Sequence, residues 1–233
     1  IDIEGIVIDS SRATTIKTRV IAHSQQVVRI DKETMSPIED NIINEVLTYI
    51  KEKILEIDAI IIEDYGKGMI VPRLLKEVVN LCKKHKKIIA VDPKEEHLDY
   101  YKGVTVITPN NNEASRASGI NIKDDVTLKN AGSKLIKMFD SEAVLITLGE
   151  NGMCLFQKKK EPIHIPTVAR EVYDVCGAGD TVISTLAIAL TCGATMEEAA
   201  YISNYAAGIV VGKVGVAVVT SEELKDKIIA LNG

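Results

Sequence analysis

Short runs of β-branched residues alternate with longer amphipathic stretches along most of the chain. The runs are nearly continuous in Ile and Val, which is typical of strands buried on both faces, as in a parallel sheet. They lie at residues 59–62, 88–91, 104–107 and 144–146, with helical patterns between them at residues 72–86, 110–118 and 127–139. This alternation predicts an α/β fold with a doubly wound, mostly parallel open sheet and helices on both faces.

The amino-terminal part of the chain has a different pattern. Residues 5–9, 14–23 and 25–31 are rich in Ile, Val and Thr with polar residues interleaved. This composition predicts a ribbon of β-strands, and we expect residues 5–31 to form a lid within a single domain that comprises residues 1–233.

Two further elements are predicted from local signals. A helix is expected after the ribbon, with Ser36 as its cap, Pro37 at its first position and Glu39 completing a capping box. Beyond residue 146 we expect a hairpin and then three more helices.

Composition restricts the class of protein only broadly. The chain has 233 residues, of which 46% are hydrophobic and 26% charged, which allows one large domain with a sizeable core. The formal net charge of −5 argues against a general nucleic-acid binder, which normally has a basic face. The four scattered cysteines form no Cys-x-x-Cys pair, so a zinc cluster or a disulfide framework is not indicated and a reducing cytoplasm is expected.

The chain has neither a secretory signal pattern nor a predicted membrane span. Its longest apolar stretch, residues 182–194, is interrupted by hydroxyl side chains and is too short to cross a bilayer. The chain begins at Ile1, in what reads as a strand and without an initiator methionine, so we expect an amino-terminally incomplete sequence.

Polar, turn-forming residues follow each of the four predicted parallel strands. Open α/β sheets bind ligands at the carboxyl ends of their strands. Each cluster alone is also typical of an ordinary turn, but four together predict an active-site edge. The clusters are residues 63–68, residues 92–94, residues 108–110 with Glu113, and residues 147–149.

Residues 174–180, Asp-Val-Cys-Gly-Ala-Gly-Asp, precede an apolar helix and are the most specific motif in the chain. Gly177 and Gly179 allow a tight turn that directs consecutive amides to one point, where the helix dipole adds positive character. Such a turn forms an anion hole suited to a transferring phosphoryl group. Asp180 lies beside it and can take a proton from a substrate hydroxyl. A plain helix cap needs neither two glycines nor two aspartates at this spacing.

Two other motifs allow two interpretations each. Thr147, Gly149 and Gly152 can hold a phosphate by a hydroxyl and amides, or they can make the tight connection into the next strand. Asn110 and Glu113 lie on one helix face and suit a hydrated magnesium ion. They fit an N-cap and its box partner equally well, and the two roles are compatible.

Together these motifs resemble those of the PfkB, or ribokinase-like, carbohydrate kinases. Residues 174–180 are similar to the second signature of that family, Asn110-x-x-Glu113 to its magnesium and phosphate motif, and Thr147-x-Gly149 to its nucleotide-phosphate strand exit. The resemblance is strongest to the heptose-7-phosphate kinase domains, which belong to ADP-heptose synthesis for lipopolysaccharide. It runs from about Thr14 to the end of the chain. The segments that carry it are residues 15–20, 25–26, 29–31, 64–68, 92–94 and 171–174.

The resemblance implies roles at the transfer site and for the nucleotide. Asp180 would be the catalytic base, and Gly177, Ala178 and Gly179 would form the anion hole. Asn110 and Glu113 would organise Mg²⁺ through water, while Thr147 and Gly149, with Gly152, would contact the phosphates of ATP. Asn204 and Gly208 would lie near the adenine, although close helix packing explains them equally well.

The resemblance also implies a substrate and a set of ligands for it. Lys94 and Asp64, with Asp180, would bind the sugar phosphate, and Asp174 would hold a monovalent cation such as K⁺. The reaction would be transfer of the γ-phosphoryl group of ATP to the anomeric hydroxyl of D-glycero-D-manno-heptose 7-phosphate, by a homodimer joined through its lid strands. Two alternatives stay open: another kinase of this family, acting on a different sugar, nucleoside or vitamin alcohol, and a catalytically idle nucleotide-binding domain.

The sequence departs from the family pattern in three respects. The sugar-binding aspartate and the Gly-Gly-x-Asn segment that open the family are absent, so we expect most sugar-binding residues to be missing. Residues 213–217 lack the Thr or Ser expected after the glycine, which weakens the cation site. No His-x-Gly-His nucleotidyltransferase signature is present.

Overall fold

The computed structural model describes residues 2–22, 25–169 and 172–232. The residues outside these ranges, together with the predictions that fall on them, are Ile1, His23, Ser24, Arg170, Glu171 and Gly233. The described strands are β1 (Ile16–Ala22), β2 (Gln25–Lys32), β3 (Ala59–Glu63), β4 (Ile88–Asp92), β5 (Val106–Ile107), β6 (Ala143–Thr147), β7 (Met153–Gln157) and β8 (Ile163–Ile165). The described helices are α1 (Asp40–Lys53), α2 (Pro72–His85), α3 (Asn111–Ser118), α4 (Asp125–Phe139), α5 (Ala178–Thr191), α6 (Met196–Val210) and α7 (Ser221–Asn232).

Six of the strands form one sheet in the order β3-β4-β5-β6-β7-β8. The first four are parallel, and β7 and β8 are antiparallel. The mostly parallel α/β fold is thereby confirmed. Because β3 to β6 run parallel to one another, their carboxyl ends all lie along one edge of the sheet.

The sheet is covered on both faces, and its alternating side chains separate two cores. Val144 and Ile146 of β6 pack with helices α1 to α4, whereas Leu145 packs with α5 and α6. Successive side chains of a strand point to opposite faces, so a strand between two helical layers is apolar throughout. This is why the parallel strands read as continuous hydrophobic runs. The predicted helices on both faces are confirmed.

Most predicted elements are found within two residues of their expected bounds, including the hairpin and the three final helices. The predicted strand 104–107 is shorter, since β5 comprises only Val106–Ile107. Its beginning is irregular because the carbonyl of Thr105 accepts hydrogen bonds from two successive amides, those of Glu142 and Ala143. No helix in the described part of the chain combines the length and apolar content that a membrane span requires.

The predicted strand at residues 5–9 is wrong. The backbone turns there, with the amide of Ile6 donating to the carbonyl of Ile3 at 3.0 Å. Gly5 packs so closely on the ring of Tyr49 that an added Cβ would lie 2.5 Å from it. The segment docks onto the helical layer through Val7 rather than pairing with β1, whose described partner is β2 alone.

The predicted capping box at Ser36 and Glu39 is also wrong. Helix α1 begins at Asp40, and its N-cap residue Glu39 makes no capping hydrogen bond. The preceding segment is held by tertiary contacts instead. The Arg12 guanidinium donates to the carbonyls of Ser36 and Pro37, and the amide of Ile38 donates to the carbonyl of Gly68 at 2.9 Å.

Candidate active site

Three carboxylates from distant parts of the chain meet at the predicted edge of the sheet. Glu63 ends β3 and Asp92 ends β4, and the two residues are paired in the register of these parallel strands. Asp180, in the first turn of α5, completes the group, and carboxylate oxygens of all three lie within 4.8 Å of one another. The predicted active-site edge is therefore a strongly acidic site.

Burial changes the protonation of this cluster. Desolvation raises the pKa of Asp92 to about 8, and the charges of Glu63, Glu113 and Asp180 add to the shift. The pKa of Glu63 is raised as well, by its burial and by the charge of Asp180. Burial and these neighbouring charges therefore favour the protonated form of Asp92, which shares a hydrogen bond with Glu63. A cation in the site would favour the ionised forms.

The donor set fits Mg²⁺. Carboxylate oxygens are ligands that this ion prefers, and it commonly keeps several waters while bound by one or two carboxylates. A cavity of about 80 Å³ beside the cluster is lined by Asp92, Asn110 and Glu113. The predicted magnesium residues Asn110 and Glu113 are thus brought next to Asp92, which was not among the predicted metal ligands.

The motif before α5 has the predicted turn, but one of its three amides is not free to bind an anion. Gly177 is the N-cap residue of α5, at a φ of +79°, a left-handed conformation that favours glycine. The amide of Ala178 donates to the carbonyl of Val175 at 3.2 Å, so it is not free for an anion. Among the described residues, no acceptor is present for the amides of Gly177 and Gly179. The predicted anion hole is therefore reduced from three amides to two.

Asp180 does not act as a helix cap, which was the alternative reading of this residue. No side chain caps α5, and the Asp180 carboxylate instead accepts a hydrogen bond from the hydroxyl of Tyr65 at 3.3 Å. The side chain is exposed at the edge of the sheet. It is therefore free to meet a substrate hydroxyl.

A second, larger cavity adjoins the first on the other side of Gly179. It has a volume of about 440 Å³ and a largely apolar wall. Thr147 and Gly179 line both cavities, so a ligand in the larger one can extend to the carboxylates. The predicted nucleotide residues that line the larger cavity are Thr147, Gly149, Gly152, Asn204 and Gly208.

Several of these nucleotide residues also have clear structural roles. The Asn204 amide group donates to the carbonyl of Pro166 at 2.8 Å, and an added Cβ at Gly208 would lie 2.8 Å from Val168. A Cβ at Gly152 would overlap the carbonyl oxygen of Ile165, whereas Gly149 faces open space. Gly152 thus makes the tight connection into the next strand, and Asn204 and Gly208 pack α6 against the segment after β8 while they line the cavity.

Asn110 and Glu113 form the capping box that was the alternative to metal binding. The side chain of Asn110 accepts from the amide of Glu113 at 3.0 Å, and the amide of Asn110 donates to Glu113 Oε2 at 2.8 Å. Burial raises the pKa of Glu113 against the opposing effect of this hydrogen bond. Because Asn110 is also bridged to Thr147 at the strand edge, the box holds both residues at the small cavity.

Asp64 has a different environment from the one predicted. Its side chain is only 1% exposed. It accepts hydrogen bonds from the amide of Gly66 and the hydroxyl of Tyr101, and it lies 2.6 Å from Nδ1 of His97. Direct contact between Asp64 and a sugar is not supported by this geometry, because these partners already surround the carboxylate.

Lys94 remains a candidate for binding the sugar phosphate, and Asp174 remains a candidate for binding a monovalent cation. The amide of Lys94 donates to the oxygen of Tyr101 at 2.9 Å, which ties this loop to the Asp64 network. Within the described ranges the Lys94 ammonium makes no ion pair. The Asp174 carboxylate accepts from the amide of Cys176 at 2.9 Å and so shapes the turn before Gly177, while its binding of a monovalent cation stays a prediction.

Sequence reasoning missed Glu63, Asp92 and Tyr65 as site residues. All three stand in the polar clusters that follow β3 and β4, so a signal was present. The clusters alone do not distinguish which side chains face the site and which, like Asp64, turn into the protein.

Comparisons with known proteins concern the family and the fold of this chain. The family model described as pfkB family carbohydrate kinase matches residues 1–223. The chain is 46% identical over 225 residues to a "Bifunctional protein HldE" of Desulfatibacillum aliphaticivorans, covering 97% of this chain and 46% of that protein. It is 43% identical over 224 residues to the protein of the same name from Geobacter metallireducens, covering 96% and 46%. The chain thus spans about half the length of the curated relatives it matches.

Solved structures show the same fold at lower sequence identity. Escherichia coli phosphofructokinase-2 in complex with substrates and products superimposes with a TM-score of 0.75 at 16% identity, covering 94% of this chain and 71% of that one. Arabidopsis thaliana ribokinase complexed with ribose and ATP gives a TM-score of 0.68 at 21% identity, covering 88% and 66%. Because the family model matches residues 1–223, nearly the whole chain, this chain belongs to the pfkB family of carbohydrate kinases.

Proposed function

We propose that this carbohydrate kinase transfers the γ-phosphoryl group of ATP to the anomeric hydroxyl of D-glycero-D-manno-heptose 7-phosphate, a step of ADP-heptose synthesis for the lipopolysaccharide core. The family makes it a phosphotransferase with an alcohol acceptor. The choice of a heptose phosphate is supported by the HldE relatives, which are 41–46% identical to this chain. Because the chain spans less than half of each, the second activity named in "bifunctional" is not assigned to it.

The observation that carries the proposal is the position of Asp180. Its exposed carboxylate follows directly after Gly179 at the start of α5, and Gly179 has a free amide and lines the cavity of about 440 Å³. A base and an anion hole adjacent to a nucleotide-sized cavity are the groups that phosphoryl transfer needs. A simple binding domain would need the cavity but not an exposed carboxylate beside the hole.

In this mechanism Asp180 accepts the proton of the acceptor hydroxyl as that oxygen attacks. Such a base commonly contributes a factor of about 10² to 10⁴ in rate. The amides of Gly177 and Gly179 bind the oxygens of the transferred group at the start of α5, where the helix dipole stabilises negative charge. Removal of one donor of such a hole typically costs about 3 kcal/mol of transition-state stabilisation.

The site fits both the nucleotide and the metal ion that this reaction requires. Thr147, Gly149 and Gly179 would contact the phosphates of ATP, with the apolar wall of the larger cavity left for its base. Asp92 and Glu113, with Glu63 and Asn110 nearby, would hold Mg²⁺. When bound, ATP supplies the phosphoryl group and Mg²⁺ shields its charge.

The acceptor is expected on the side of Asp180 that faces the loops after β3 and β4. Lys94 is the cation that we assign to the phosphate of the sugar, since it has no ion pair among the described residues. Asp64 is assigned an indirect role, because its hydrogen bonds with Gly66 and Tyr101 hold these two loops together. Asp174 keeps its assignment to a monovalent cation such as K⁺.

The lid strands suggest how two copies associate. Residues that are paired across β1 and β2 share a face, and one face carries Ile16, Val20, Val28 and Ile30, which are between 44% and 59% exposed. A two-stranded ribbon with an uncovered apolar face is marginally stable by itself. We assign this face to a homodimer contact, and Val20→Lys should convert a dimer into a monomer in light scattering.

The reaction itself is tested by ATP-dependent phosphorylation of a panel of sugars and sugar phosphates, with the product of the whole gene, Mg²⁺ and K⁺. Turnover specific to heptose 7-phosphate supports the proposal. Turnover on another alcohol keeps the mechanism and rejects the substrate. Binding of ATP without turnover on any acceptor would favour the idle nucleotide-binding domain. Because ATP is the donor and the four cysteines are free, we place the reaction in the cytoplasm.

A further inference from the structure

Tyr65 connects the loop after β3 to the proposed base. Its hydroxyl donates a hydrogen bond to Asp180 Oδ1 at 3.3 Å, between residues 115 positions apart in the chain. Within the described residues no other side chain donates to the Asp180 carboxylate. The second carboxylate oxygen is left for a substrate hydroxyl.

The backbone that carries Tyr65 is held on both sides. Before it, the buried carboxylate of Asp64 accepts hydrogen bonds from Tyr101 and from the amide of Gly66. After it, Gly66 has a φ of +66°, and the aliphatic part of the Lys94 side chain lies close to the position that a Cβ would take. Residues 64–66 therefore form a turn that directs Asp64 inwards and leaves Tyr65, at 59% exposure, on the side of the site.

Asp180 needs such support because its other close neighbours are also carboxyl groups. Glu63 and Asp92 place carboxylate oxygens within 4.8 Å of it. Where these groups are ionised, their repulsion favours rotamers of Asp180 that turn away from the cluster. A hydrogen bond from a neutral donor opposes this rotation without adding charge.

We propose that Tyr65 is a positioning residue, whose hydroxyl holds the Asp180 carboxylate in the orientation that accepts the substrate proton. This inference rests on the proposed kinase function of the same site. The hydroxyl is suited to the task because it donates a hydrogen bond to the Asp180 carboxylate and carries no charge of its own. A phenylalanine would keep the ring and remove only the donor.

The test is a double-mutant cycle on the product of the whole gene, with wild type, Tyr65→Phe, Asp180→Asn and the double variant. Tyr65→Phe should lower kcat about 10- to 100-fold, as expected when a reacting group is misplaced. The KM for ATP and the melting temperature should stay within error. Adding Tyr65→Phe to Asp180→Asn should change the residual rate less than about twofold, because a positioning residue has no effect once its partner is lost.

Tyr205→Phe serves as the matched control, since it removes a tyrosine hydroxyl from α6, away from the carboxylates. It should leave kcat unchanged. If Tyr65→Phe lowers kcat by the same factor in both backgrounds, or not at all while the wild type turns over, the inference is overturned and the kinase function stands. If the wild type phosphorylates no acceptor, both the proposed function and this inference are overturned.

Discussion

Glu63 and Asp92 lie directly opposite each other at the carboxyl ends of two adjacent parallel strands. Their position in the register brings two carboxyl groups into one partly buried space, with Asp180 close to both. Like charges at such separation are unfavourable, so one group keeps its proton until a cation enters. Without a cation this arrangement costs stability, as expected for the Mg²⁺ site proposed above.

This cost predicts that Asp92→Asn changes the stability of the protein by an amount that depends on pH. The pKa of Asp92 is about 8 in the folded protein, above its ordinary value of 3.8, so ionisation favours the unfolded chain. The penalty is absent below about pH 4, grows between these values and is complete above pH 8. In metal-free protein the variant should therefore melt higher than wild type at pH 8, by about 2–8 °C for a gain of about 1–2 kcal/mol, after discounting for partial exposure.

Melting curves between pH 4 and pH 8 measure this difference. Asp99→Asn removes an exposed carboxylate and should show no comparable trend. A gain in melting temperature that is equal at pH 4 and pH 8 would contradict the proposed cost of ionising Asp92 in the folded protein. Added Mg²⁺ should stabilise the wild type more than the variant, because it binds the ionised group.

Asp180→Asn tests the proposed base. The amide cannot accept the proton of the acceptor, so kcat should fall by about 10² to 10⁴. The cavity that would receive the nucleotide is unchanged, and ATP affinity measured by calorimetry should stay within about threefold. Asp226→Asn, on the exposed surface of α7, is the control and should keep full activity. Intact turnover by Asp180→Asn would show that another group is the base.

Gly179→Ala separates the anion hole from the stability of the fold. An added Cβ would have its nearest neighbour, Asp92 Oδ2, at 3.8 Å, so the protein itself accommodates it. In the first turn of a helix alanine is at least as favourable as glycine. The methyl group would occupy the space of the transferred phosphoryl group, and we expect an unchanged melting temperature with at least a tenfold loss of kcat.

Gly177→Ala is the comparison for this variant. Gly177 has a φ of +79°, so alanine there should destabilise the fold by about 1–2 kcal/mol in addition to its effect on the hole. Denaturant unfolding of both variants distinguishes the two cases. Equal losses of stability would mean that the first turn of α5 is not as described.

Gly68→Ala and Gly149→Ala form a matched pair that tests the contact between Gly68 and Ser36. Both glycines have positive φ, at +78° and +61°. A Cβ at Gly68 would overlap the carbonyl of Ser36, whereas one at Gly149 meets open space. Gly149→Ala should cost about 1–2 kcal/mol of unfolding free energy, and Gly68→Ala about 1–3 kcal/mol more. Equal costs in denaturant unfolding would contradict the contact between residues 36 and 68.

Local patterns were sufficient for the elements and for one part of the site. The runs of Ile and Val, the capping box of Asn110 and Glu113, and the turn at Gly177 depend on residues a few positions apart. Their geometry follows from the backbone conformation of neighbouring residues, so it can be read from spacing. The polar residues after the strands also predicted the edge of the sheet at which Glu63, Asp92 and Asp180 meet.

Tertiary structure decided which of the clustered residues work together. The register of β3 and β4 places Glu63 beside Asp92, and the packing of α5 brings Asp180 to Tyr65 from 115 residues away. Tertiary contacts also overrode the capping signal at Ser36. Hydrogen bonds with Arg12 and Gly68 hold that segment outside the helix. Sequence alone determined the fold class, the turn at Gly177 before α5 and the capping box of Asn110 and Glu113. The acidic cluster and the orientation of its base depend on contacts across the sheet, whose geometry is set only when the whole chain is packed.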